Sequence, residues 1–282
     1  MLQMSRAITL SGILLPAVIS VALLGGTPAL AQAPAADKGG CTAIADAATG
    51  KLLKQEGVCD KRITPASTFK IAISLMGYDA GFLKDEHTPA LPFRQGYAAW
   101  MASWRTTTDP ASWIKNSVVW YSQQITQALG AERFKHYVAS FRYGNQDVSG
   151  DPGKHNGLTR AWLSSSLEIS PLEQLSFLER LVNRKLPVSP RAYDMTSRIT
   201  LIEILPNGWE VHGKTGTGAP IGPDGKQDTS HIYGWFVGWA TKGGRTVVFA
   251  RQIQDTRKEA VMPGPRIRAA FMDQLPAILE GL

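Results

Sequence analysis

The chain has 282 residues, 44% hydrophobic and 19% charged, which suits one globular unit or two interlocked lobes. Its formal net charge of +7 comes from scattered basic residues with no Lys/Arg-rich run, so a nucleic-acid footprint is excluded. A mildly basic surface of this kind favours anionic small molecules, and after residue 24 no stretch is long and apolar enough to cross a bilayer.

The chain opens on a leader. Arg6 is its only charge, residues 7–24 are almost wholly apolar, and Ala29-Leu30-Ala31 offers a small-x-small cleavage site before Gln32. Residues 1–31 therefore read as a signal peptide, and the mature chain from residue 32 is expected to be exported to the periplasm and free of the membrane. Cys41 lies well beyond the apolar run, which argues against a lipid anchor. Residues 42–46 and 51–53 flank a turn near Thr49-Gly50 and predict a hairpin. Cys41 and Cys59, the only cysteines, bracket it, and an oxidising compartment would let them form a disulfide. Two sulfurs with no nearby histidine do not make a metal site, so no metal is expected.

Next comes Pro65-Ala66-Ser67-Thr68-Phe69-Lys70, followed by the apolar run Ile71 to Met76. Pro65 suits a first helical turn, where its missing N–H would be unpaired anyway. The pattern predicts a buried helix with Ser67 near its N-terminus, and Lys70 on the same face three residues on. Burial lowers a lysine pKa and frees its amine for chemistry, so the pair is the minimum kit for an activated serine nucleophile. The same S-x-x-K spacing recurs at Ser112 and Lys115, where it is read as accidental and Lys115 as solvent-facing.

Residues 82–205 read as mainly helical with long loops. Helices are predicted over 122–129 and 131–141, a Gly/Asn/Asp-rich loop over 143–160, and a helix from Pro171 to residue 181. The period then changes to two. Residues 209–215, 232–240 and 246–253 predict strands, a Gly/Pro turn occupies 218–228, and a last helix covers 266–279. Strands at both ends of the chain suggest one discontinuous α/β lobe, residues 32–81 and 206–282, whose hairpin joins the later strands in a single antiparallel sheet. The helical lobe, 82–205, would be inserted.

Lys214-Thr215-Gly216 at a strand end supplies a fixed charge, a hydroxyl and a glycine that admits close backbone approach. The order S-x-x-K then K-T-G marks serine β-lactamases and penicillin-binding proteins. With Ser117-Val118-Val119, Tyr143-Gly144-Asn145 and Trp162 between them, the set resembles the class D β-lactamases, the oxacillinases, over nearly the whole mature chain.

The resemblance implies an α/β (α+β) transpeptidase-like fold, an antiparallel sheet flanked by terminal helices with a helical lobe inserted. It implies hydrolysis of penicillin-type β-lactams, giving antibiotic resistance, by a monomer or homodimer. Ser67 would be acylated. Lys70 would carry a carboxyl group taken up from CO2 and serve as general base, with Trp162 donating its indole N–H to that group. Ser117 and Lys214 would relay a proton to the leaving nitrogen. The N–H groups of Ser67 and Thr217 would form the oxyanion hole, and Thr215, Gly216, Val119 and Arg266 would bind substrate, Arg268 lying close to Arg266. His212 reads as a packed or surface residue, and Glu168 as the nearest acid to a rival glutamate base. A penicillin-binding sensor domain and a D,D-peptidase are the alternatives.

Overall fold

The computed structural model describes residues 40–282; the signal-peptide reading of 1–31 lies outside them. A six-stranded antiparallel sheet forms the centre, from β1 (Cys41–Asp46), β2 (Leu52–Gly57), β3 (Leu201–Ile204), β4 (Glu210–Gly218), β5 (Tyr233–Lys242) and β6 (Arg245–Gln254). Their spatial order is β2-β1-β6-β5-β4-β3, so the N-terminal hairpin joins the C-terminal strands through β1 against β6, as the sequence predicts. Gly243 and Gly244, at φ 55° and 82°, make the two-residue turn between β5 and β6; positive φ at both positions matches the strand twist and favours glycine.

The described residues form eight α-helices: α1 (Lys70–Asp79), α2 (Pro110–Asn116), α3 (Val119–Leu129), α4 (Ala131–Ser140), α5 (Gly157–Arg160), α6 (Pro171–Val182), α7 (Pro190–Thr200) and α8 (Pro263–Glu280). The sheet separates two cores, because alternate side chains of a strand face opposite ways. Ala43, Ala45, Trp235, Val237, Trp239, Val248 and Ala250 face the larger core with the helical segments. Ile44, Val211, Phe236, Val247 and Phe249 face the smaller one. There α8 lays down Ile267, Phe271, Leu275 and Leu279, a stripe at strict four-residue spacing. The α1 helix is buried from Lys70 to Tyr78, as a helix apolar on all sides must be.

Four boundaries differ from the sequence reading. Residues 66–69 form a tight 3-10 turn, and the α-helix begins at Lys70 rather than before Ser67. Ser117 takes a left-handed conformation at the end of α2, which reverses the chain so sharply that α3 starts at Val119, ahead of 122. The last helix begins at Pro263, because a proline loses nothing in a first turn. The segment read as helical contains β3, a short edge strand paired with β4; four mostly apolar residues carry too little period to separate strand from helix.

Cys41 and Cys59 form a disulfide across a sequence separation of 18, closing the hairpin at its open end. Replacing both with serine is expected to lower stability by about 3 kcal/mol, since a loop of that length gains freedom mainly in the unfolded chain. A lower urea midpoint, with an m-value raised because the opened chain exposes more surface on unfolding, would report it; an unchanged midpoint would contradict it.

Candidate active site

The first turn after Thr64 sets the site. Ala66 is held at φ 49°, which turns the chain so that Ser67 and Lys70 lie one turn apart. Lys70 Nζ donates to Ser67 Oγ at 3.0 Å. Lys70 is fully buried, while Ser67 is half-buried. Burial, and secondarily the positive charge of Lys214, holds the Lys70 amine well below its ordinary pKa. The next residue toward the N-terminus, Phe69, anchors this apolar ground: its ring lies 4.9 Å from Tyr143 and 5.7 Å from Trp162. Val119 and Leu163 belong to the same core.

The β4 strand forms the opposite wall. A Cβ on Gly216 would lie 2.9 Å from the Pro65 carbonyl and 3.3 Å from the Ser67 nitrogen, so only glycine lets strand and nucleophile turn meet. On the same strand, Thr217 Oγ1 accepts the Gly264 N–H at 3.1 Å, which ties β4 to the start of α8. Lys214 is buried, and its Nζ donates to the Thr215 carbonyl at 3.0 Å. Burial and then the charge of Arg268 bring its pKa down to about 7.

That shift makes stability depend on pH. In the unfolded chain a lysine titrates near about 10.4. Between that value and about 7, the unfolded chain holds a proton that native Lys214 lacks, so unfolding free energy rises with pH across the window. One such group contributes at most about 1.4 kcal/mol per pH unit. Lys214→Met removes the contribution. Its stability relative to wild type is therefore expected to be highest at pH 6 and to fall by pH 10, as read from urea midpoints; a pH-independent difference would contradict it.

Ser117 is half-buried at the left-handed end of α2, and Trp104 Nε1 donates to the carbonyl of the preceding Asn116 at 2.9 Å. Trp162 is fully buried, and its Nε1 has no hydrogen-bond partner among the described residues. The two arginines part company. Arg266 pairs with the buried carboxylate of Asp255, whereas the charge of Arg268 reaches Lys214.

Tyr143 and Asn145 hold a loop. Asn145 Nδ2 donates to the Ser166 carbonyl at 2.8 Å and its Oδ1 accepts the Glu168 N–H at 3.0 Å. His212 is packed: it stacks on Trp239 at 4.8 Å and shares hydrogen bonds with the Ser197 carbonyl and Glu210. Lys115 is exposed. Burial raises the Glu168 carboxyl and the charge of Arg62 partly offsets that, while Arg62 itself pairs with Glu173. Gln174, which the sequence reading passed over, is buried and its Nε2 donates to Thr68 Oγ1 at 3.1 Å and to the Tyr143 hydroxyl at 3.2 Å. Its one sequence signal is a polar side chain on the helix face shared by Phe177, Leu178 and Leu181.

Known proteins resemble this chain along most of its length. The penicillin binding protein transpeptidase domain matches residues 30–275. Beta-lactamase OXA-9 of Klebsiella pneumoniae is 47% identical over 241 residues, 85% of this chain and 88% of that protein. Beta-lactamase OXA-1 of Escherichia coli is 39% identical over 219 residues, covering 74% of each. The crystal structure of the OXA-427 class D β-lactamase superposes with a TM-score of 0.82 at 47% identity, covering 86% of this chain and 99% of that one. Sequence, fold and relatives converge: this chain belongs to the class D serine β-lactamases.

Proposed function

We propose that this protein is an exported, periplasmic enzyme that hydrolyses the β-lactam amide of penicillin-type antibiotics through an acyl-enzyme on Ser67, and so confers resistance. The observation that carries the reading is the Lys70 amine, fully buried, 3.0 Å from the Ser67 hydroxyl and held well below its ordinary pKa. An unprotonated amine at that position can take up CO2 as a carbamate, and the buried, unpartnered Trp162 N–H suits the added oxygens. When present, that group supplies a carboxylate base at the end of the Lys70 side chain.

The chain's own residues do the rest. Ser67 Oγ gives up its proton toward the Lys70 side chain and bonds to the lactam carbonyl carbon. The Ser67 and Thr217 N–H groups hold the oxyanion, each donor worth roughly 3 kcal/mol in such sites. The carbon–nitrogen bond breaks, and Ser117 and Lys214 deliver a proton to the departing nitrogen. A Lys214 pKa of about 7 suits such a relay near neutrality. Water then attacks the ester, Ser67 Oγ leaves with a proton, and the opened product departs. Thr215, Gly216 and Val119 line the substrate side. Arg268 binds the substrate carboxylate, since Arg266 is committed to Asp255.

Turnover of a chromogenic cephalosporin, with and without added bicarbonate, tests this. Hydrolysis is expected, faster with bicarbonate once CO2 has been stripped. No turnover in either condition would overturn the enzyme reading, and a Ser67 adduct lasting hours by mass spectrometry would replace it with a sensor.

A further inference from the structure

The residue before the nucleophile adopts a conformation that non-glycine residues rarely take. A backbone held in such a region is strained and persists only where its surroundings over-determine it. For Ala66, at φ 49°, those surroundings include two aromatic side chains of β5. Trp235 Nε1 donates to the Thr64 carbonyl at 3.1 Å. The Tyr233 and Thr64 hydroxyls hydrogen-bond one another. Both aromatic residues are buried. Thr64 leads directly into Pro65, whose carbonyl accepts the Thr68 N–H at 3.2 Å and the Thr68 hydroxyl at 2.7 Å. The turn carrying Ser67 is thus gripped on both sides of Ala66.

Strand register says what this grip positions. In the β4–β5 ladder, Tyr233 pairs with Gly218 and Trp235 with Gly216, the two neighbours of Thr217. One strand therefore sets the position of Thr217, opposite Gly234 in the ladder, and that of the Ser67 turn, through two side-chain hydrogen bonds to Thr64. The amides of Ser67 and Thr217 are the two read above as the oxyanion donors, and their separation must suit one oxygen atom.

We propose that Tyr233 and Trp235 are positioning residues for the oxyanion hole: through Thr64 they fix where the Ser67 amide lies relative to the Thr217 amide. The inference rests on that reading of the two amides. Neither aromatic residue touches substrate. The Tyr233 phenol is pushed up by burial and stays neutral, so the grip does not vary across an assay's pH range. Ser164, two residues past Trp162, faces the same hydroxyl and accepts the Ala219 N–H at 3.4 Å, so the strand end is tied in as well.

The test uses Tyr233→Phe, Thr64→Val, Thr64→Ser, the double variant Tyr233→Phe/Thr64→Val, and Trp235→Phe. Two readouts are needed: kcat and KM for a chromogenic cephalosporin, and affinity for a boronic acid that forms a tetrahedral adduct on Ser67. A displaced donor costs less than a deleted one, so kcat and boronate affinity are each expected to fall about tenfold in Tyr233→Phe, Thr64→Val and Trp235→Phe, with KM nearly unchanged. Thr64→Ser keeps the hydroxyl and is expected to match wild type. The double variant is expected to lose no more than Tyr233→Phe alone, because that change already removes the bond to Thr64. Wild-type boronate affinity in the variants, or losses that multiply in the double, would overturn the positioning role while leaving the hydrolase intact. Failure of the wild-type protein to turn over substrate would instead strike the hydrolase reading, and the boronate series would still decide the positioning role.

Discussion

Lys70→Ala is expected to slow acylation and deacylation together, each by about 10²–10⁴-fold, the range for removing a positioned general base. The amine reaches Ser67 Oγ at 3.0 Å, and no other side chain is found bonded to that hydroxyl among the described residues. The same side chain is fully buried, so bulk water cannot replace it as a base from behind. Folding should survive the change. Lys70 lies at the start of a helix buried as far as Tyr78, and alanine keeps that helix while removing an amine that was costly to bury. Acylation is read by stopped flow with a chromogenic cephalosporin, and deacylation by mass spectrometry of the quenched adduct. Slow acylation with normal deacylation would separate the two half-reactions and remove Lys70 from the second.

What the sequence disclosed and what it hid divide along range. Local chemistry was legible. Gly243-Gly244 between two alternating runs makes a hairpin, Pro171 opens a helix, and the Ser67/Lys70 spacing puts hydroxyl and amine one turn apart. The grip on the nucleophile was not legible. Gln174 meets Thr68 across 106 residues and Tyr233 meets Thr64 across 169, and such pairings leave no period in either segment. The same limit explains the arginines. Arg266 and Arg268 stand two apart on α8 and so point to different sides of the helix, and only the packing of α8 on the sheet sends one to Asp255 and the other toward Lys214.

Trp162→Phe is expected to weaken CO2 retention at Lys70 by about 10- to 100-fold, because a hydrogen bond to a charged group is worth about 1.5–3 kcal/mol. The indole N–H groups of Trp104, Trp113, Trp120 and Trp235 each reach an oxygen, at 2.9, 2.9, 2.8 and 3.1 Å. That of Trp162 reaches none among the described residues, although it is fully buried. An unpaired buried donor costs about 1–3 kcal/mol, so a fold that keeps one gains from whatever acceptor completes it. Phenylalanine deletes that donor and keeps an aromatic ring beside Phe69 and Phe134, at the cost of some packing volume that bicarbonate cannot restore. Turnover should therefore collapse in CO2-depleted buffer and recover as bicarbonate is raised, while the wild type responds at far lower concentrations. The carbamate resonance seen by NMR after adding carbon-13 bicarbonate should weaken in parallel. Full activity in depleted buffer with an undiminished resonance would mean that the Trp162 N–H has no part in holding the group, and that its lack of a partner serves some other end.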